Sequence, residues 1–157
     1  MAKQIVRIVL LLLGIAVLLA ATLFVALRWD RIPAEVPTNF SGSGQPDEYA
    51  PKGSLITMLC FGWGAFVLTS VIARVPALWK GNGGFVRVSS LRIGGKTVLG
   101  PNWLSMDLLS LVVALLFSYL TLCSARCRPL GVWFLPVFIG VLLLSFVLPG
   151  VLMNGGE

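Results

Sequence analysis

Polar residues are confined to a few short segments of this chain, and the sequence between them is almost unbroken apolar. An uncharged run at 8–27, IVLLLLGIAVLLAATLFVAL, precedes a polar stretch at 28–54 and a second run at 55–75 that begins LITMLCFGWGAFVLTSVIA. A third run at 104–123 contains one acid, Asp107, and a fourth at 131–152 is interrupted by Pro136 and Pro149. A bilayer core about 30 Å thick takes roughly 20 helical residues to cross, and irregular backbone cannot face lipid because its N–H and C=O groups find no partner there. The pattern therefore predicts an all-α integral membrane protein, a single domain over 1–157 with four transmembrane helices. They would be joined by an outer loop (28–54), an inner cationic loop (76–103) and an outer turn (124–130).

Composition agrees: 57% of residues are hydrophobic and 11% charged, with mean hydropathy +0.95, whereas a soluble domain is about 25% charged. Charge then sets the orientation. Lys3, Arg7, Arg74, Lys80, Arg87, Arg92 and Lys96 fall on one side of the predicted spans, and Arg28, Arg31, Lys52, Arg126 and Arg128 on the other, the first three of these accompanied by Asp30, Glu35, Asp47 and Glu48. The richer side is cytoplasmic by the positive-inside rule, which predicts N-in and C-in. Trp29, Trp79, Trp103 and Trp133 lie next to span ends, where indole rings prefer to sit. The first run is longer than the h-region of a signal peptide, and no small-x-small site separates it from Arg28-Trp29-Asp30-Arg31, so it reads as an uncleaved anchor. The net charge of +6 needs no nucleic-acid partner, because the cationic inner loop that holds topology accounts for much of it. The partner implied is the lipid bilayer.

The candidate chemistry is sparse. The chain has no His, which removes the commonest general base and metal ligand. Cys60, Cys123 and Cys127 do not make a zinc site, which wants four ligands, and a Cys123–Cys127 disulfide is disfavoured by its spacing in a helix. Gly94-Gly95-Lys96-Thr97 resembles the tail of a phosphate-binding loop, but Ser90 stands where the first Gly belongs and no helix follows. The same residues read better as a turn between two β-prone segments, FVRVSSLRI and KTVL. That segment is left as a small cytoplasmic β-hairpin, a stretch lying on anionic lipid, or a solvated cationic loop. No nucleophile–base pair or metal constellation can be assembled, so neither an enzyme nor a cofactor is expected.

Asp107 is the one acid inside a predicted span, and an intramembrane ionisable residue is a functional suspect. Its place after Pro101-Asn102 in the first turn of the third helix favours instead a role complementing the helix dipole. Ala16 with Ala20, Ala114 with Ser118, and Gly62 and Gly64 are small-residue sites where helices can approach closely.

The most patterned stretch is VPTNFSGSGQPDEYAPKG at 36–53. Its prolines bias preceding residues toward extended backbone, and Gly42 and Gly44 permit turns. It reads as a folded cap over the outer mouth of the bundle, with Phe40 and Tyr49 as anchors against the helix ends.

The residues Pro33, Pro37, Asn39, Phe40, Gly44, Pro46, Asp47, Tyr49 and Lys52 carry a resemblance. Their spacing resembles the pattern L-P-x-x-I-P-x-H-F-x-x-x-G-x-P-D-x-[WY]-x-x-K found between the first two helices of a membrane domain of unknown function in bacterial SdpI-like immunity proteins. Asn39 stands where that pattern has His, so a role needing protonation or metal ligation is lost or altered. Those proteins typically continue to about six spans. The resemblance implies a multi-pass protein of the bacterial plasma membrane and, for the characterised branch, immunity to a secreted toxic peptide. Two functions follow: an immunity or receptor module whose outer loop engages a secreted peptide or another membrane protein, or a transport-accessory or structural subunit in which Asp107 and the helix faces matter more.

Overall fold

The computed structural model describes residues 2–75, 91–93, 96–99 and 103–154. The chain forms α1 (Ala2–Leu27), a 3-10 turn (Trp29–Arg31), β1 (Glu35–Phe40), β2 (Pro46–Pro51), α2 (Ser54–Arg74), β3 (Leu91–Ile93), β4 (Lys96–Leu99), α3 (Trp103–Ala125) and α4 (Phe134–Asn154). Helices α1, α2 and α3 are each long and apolar enough to cross a membrane, and α4 carries a further apolar stretch, Phe134–Val147. Most of the segment expected as an inner cationic loop, with Trp79, Lys80, Arg87, Gly94 and Gly95, lies outside the described residues.

Helix α3 is the post of the bundle: it packs along both α1 and α2, which touch each other much less. Its buried face explains why, since Ser105, Ser110, Ala114, Ser118, Thr121 and Ala125 are all small. Lipid tails are as apolar as Leu, so helices in a bilayer gain little from hiding apolar surface and associate through close packing instead. At mid-bundle Leu18, Phe66 and Ala114 form one cluster, joining the three helices. Gly62 lets α2 approach, because a Cβ there would lie 2.8 Å from the Cβ of Phe117, and Gly14 similarly makes room for the Phe66 ring. Of the small pairs expected to pack, Ala114 and Ser118 are buried, whereas Ala16 and Ala20 are exposed. The packing face of α1 runs instead through Gly14, Leu18, Ala21 and Val25, a face the Ala pair could not identify because α1 is apolar all round.

The stretch between α1 and α2 is more regular than its prolines predict. Strands β1 and β2 pair antiparallel with Glu35 opposite Pro51 and Phe40 opposite Pro46, the register shifting on either side of Asn39. Proline is tolerated because a two-stranded ribbon consists of edges, where a missing N–H need not break a ladder. Val36 is fully buried in a cluster with Ala21, Val25, Ile32, Leu55, Leu59 and Ala125, so the ribbon shares a core with the ends of α1, α2 and α3.

Helix α3 stops in a Schellman arrangement: the Arg128 N–H donates to the Cys123 carbonyl (3.0 Å) and the Cys127 N–H to the Ser124 carbonyl (3.0 Å). Cys127 takes the left-handed conformation usual for Gly at this place (φ 47°). The chain then reverses into α4, where Phe134 stacks on Tyr119 at 5.0 Å. Pro136 does not break α4, because it sits in the first turn where its absent N–H has no partner to lose. Pro149 lies inside the same helix. Strands β3 and β4 pair antiparallel with Ile93 opposite Lys96, the hairpin geometry expected around Gly94-Gly95, and β4 lies beside α4. Trp29 and Trp133 flank helix ends at the ribbon end of the bundle, and Trp103 opens α3 at the other.

Packing at Gly62 and open space at Gly64 give opposite outcomes for one substitution. Gly62→Ala should destabilise the bundle by about 1–3 kcal/mol through overpacking, whereas Gly64→Ala should be neutral or gain roughly 0.5–1 kcal/mol of helix propensity. Thermal unfolding of both variants in one detergent, followed by monodispersity on a sizing column, checks the contrast.

Candidate functional site

Two constellations stand at opposite ends of the bundle. At one end the ribbon is fastened at its base, flank and tip. The base is held by the Lys52 N–H donating to the Ala34 carbonyl (2.8 Å), while the Lys52 ammonium lies 5.0 Å from the centre of the Trp29 ring. On the flank Val36 and Pro37 are buried. At the tip the Gly44 N–H donates to the Ser41 carbonyl (2.8 Å), and the Leu130 N–H donates to the Gly44 carbonyl (2.8 Å). The Tyr119 hydroxyl in turn donates to the Leu130 carbonyl (2.9 Å), tying the ribbon through the α3–α4 turn to the side of α3.

Gly44 has two reasons to be Gly. Its φ is +78°, and a Cβ would come within 2.6 Å of the Gly131 carbonyl oxygen. Among the other residues singled out from the sequence, Pro33, Asn39, Asp47 and Tyr49 are exposed and Phe40, Pro46 and Lys52 half-buried. Tyr49, 58% exposed, is therefore not the anchor expected of it; Val36 and Pro37 bear that role on the opposite strand. The Asn39 amide donates to the Glu48 carboxylate at 2.8 Å across the ribbon, so the position where the resembled pattern has His serves here as a cross-strand link. The result is a fixed ribbon with a buried flank on β1 and an exposed run, Asp47-Glu48-Tyr49, on β2.

At the other end Asp107 is 3% exposed and engages two arginines. The Arg7 Nε donates to its Oδ2 at 2.8 Å, and the Arg74 Nη1 lies 3.6 Å from its Oδ1. Arg7 also donates through Nη2 to the Ala73 carbonyl (2.8 Å), and Arg74 through Nη1 to the Ser70 carbonyl (2.8 Å). Ala73 is in the last turn of α2, where carbonyls lack a partner within the helix. One carboxylate thus joins α1, α2 and α3. The capping role expected for Asp107 is corrected, because α3 is already helical at Trp103 and no acid stands in its first turn. Arg7 and Arg74 were legible only as topology-setting cations; the separation of 100 residues between Arg7 and Asp107 leaves no local signal of the pair.

Cys60, Cys123 and Cys127 are free thiols, and among the described residues no three His, Cys, Asp or Glu side chains come together as metal ligands. A family model described as a domain of unknown function (DUF1648) matches residues 16–62, which run from the middle of α1 through the ribbon into α2. No curated protein and no solved structure matches the chain.

Breaking a buried ion pair by removing one partner costs about 3–5 kcal/mol when both charges are dry. Arg7 and Arg74 keep 22% and 35% of their side-chain surface, so Asp107→Asn should cost about 2 kcal/mol, with solvent screening the charges left behind. A double-mutant cycle with Arg7→Gln should show favourable coupling of Arg7 with Asp107, read by reversible unfolding. At the ribbon, Gly44→Ala should cost roughly 1–2 kcal/mol for the left-handed backbone alone, and more from the contact with Gly131. Gly42→Ala, with nothing within 4 Å, should leave the melting temperature unchanged.

Proposed function

We propose that this chain is a small multi-pass protein of the bacterial plasma membrane, four spans with both termini inside, that acts as an immunity or receptor-type protein against a secreted toxic peptide. The observation that carries this reading is the fastened ribbon: Val36 and Pro37 are buried in the bundle end while Asp47, Glu48 and Tyr49 stay exposed. A sheet edge held rigidly in this way offers unpaired backbone groups to an extended peptide, and strand addition is a common mode of peptide capture. Two carboxylates beside an aromatic ring favour a cationic amphipathic peptide. The resemblance of the loop to SdpI-like immunity proteins supports the same class, and Asn39 in place of His makes the capture independent of His protonation.

The alternative is a transport-accessory or structural subunit of a larger membrane complex. It draws on the Arg7–Asp107–Arg74 cluster, yet both oxygens of that carboxylate are already engaged, which fits a structural lock better than an exchange site.

One experiment separates the two. Phe40→Ala, Asp47→Ala, Tyr49→Ala and Asp107→Asn are expressed at matched membrane levels in a sensitive bacterium, which is then challenged with secreted antimicrobial peptides. The receptor reading expects wild-type protection to fall at least tenfold with Asp47→Ala and Tyr49→Ala and to persist with Asp107→Asn. Protection by no version, or loss confined to Asp107→Asn, would overturn it.

A further inference from the structure

A cavity of about 520 Å³ opens at the ribbon end between α1 and α3, and four arginines line it. Arg28 and Arg31 come from the chain leaving α1, and Arg126 and Arg128 from the Schellman turn that ends α3. Two segments about a hundred residues apart thus deliver like charges to one hollow. Its floor holds two of them in place: the guanidinium carbons of Arg28 and Arg126 lie 5.1 and 4.7 Å from the centre of the Phe24 ring. Pro33, next to the ribbon, lines the rim.

Among the described residues none of these four arginines has a carboxylate within ion-pair distance, the two ion pairs present being those of Asp107. Asp30 sits between Arg28 and Arg31 in the chain and still pairs with neither. The C-terminal ends of α1 and α3 offset part of the charge, each equivalent to roughly half a negative elementary charge. Subtracting both ends and Asp30 from four guanidiniums leaves a surplus of roughly two positive charges. Arginine, with a planar fork of donors and a weakly held hydration shell, is the side chain suited to phosphate oxygens. Trp29 and Trp133 flank helix ends at this same end of the bundle, a level at which indoles meet lipid headgroups.

We propose that Arg28, Arg31, Arg126 and Arg128 form a binding site for a dianionic phosphate group, carried on a lipid headgroup or free in solution. The site is separate from the exposed strand of the ribbon and does not depend on peptide capture there.

The test uses the full chain in phosphatidylcholine nanodiscs. In one arm phosphatidic acid is doped into the bilayer and its retention on the protein is read by native mass spectrometry; in the other, inorganic pyrophosphate is titrated and followed by calorimetry. The proposal expects retention of phosphatidic acid at least tenfold over phosphatidylcholine, or saturable pyrophosphate binding. It expects either signal to fall tenfold or more in Arg28→Gln/Arg126→Gln at an unchanged melting temperature. Binding in the first arm alone assigns the site to a lipid headgroup, and in the second alone to a soluble phosphate. Should the Gln variant not fold, Arg28→Lys/Arg126→Lys keeps the charge but loses the fork, and weakened binding is expected there too. Wild-type protein that binds neither ligand, or binding equal in the folded variants, overturns the proposal.

Discussion

The whole molecule depends on how closely other backbone can approach α3. A bilayer offers no hydrophobic reward for helix association, so contact must come from shape, and the Ser, Thr and Ala face of α3 supplies it to α1 and α2 together. From that face follow the fit of Gly62 over Phe117 and the three-helix junction at Leu18, Phe66 and Ala114. Asp107 adds direction to an otherwise greasy interface. The carboxylate meets both arginines in a single register, which reinforces the one set by the close fit at Gly62.

The same helix governs the far end. Its terminating turn aims Arg126 and Arg128, presents the Leu130 N–H to the ribbon tip, and is braced by the Tyr119 hydroxyl. The ribbon is therefore an extension of the bundle core through Val36. An exposed acidic strand and a hollow lined by four arginines thus stand side by side at this end of the bundle.

Apolar runs of sufficient length, the third with Asp107 as its one charge, made the first three helices legible, because the cost of unpaired backbone in lipid leaves few other structures. Gly94-Gly95 between β-prone segments marked the short hairpin of β3 and β4 for an equally local reason. The pairing of β1 with β2 was hidden by Pro37, Pro46 and Pro51, which argue against a strand unless it is known to be an edge. Tyr49 looked like an anchor because aromatics usually are; it lies on β2, the more exposed strand of the ribbon, although its partner in the register, Pro37, is buried. The Arg7–Asp107–Arg74 cluster was illegible for a different reason, since counting cations for topology treats each as a marker and is blind to partners distant in sequence. Gly44 drew notice as a turn residue, but its contact with Gly131 joins two loops that nothing local connects.

Sharing a core through Val36, the ribbon and the helices should unfold as one cooperative unit. Hydrogen exchange on the intact protein in a bilayer tests it most directly, because the amides of Ser41, Gly44, Lys52 and Leu130 donate the bonds that fasten ribbon and turn. They should exchange slowly, and the protection of the ribbon amides should fall together with that at the end of α3 when denaturant is raised. Exchange of those amides at the rate of a free peptide, while α3 stays protected, would show the ribbon to be a mere connector and contradict the account.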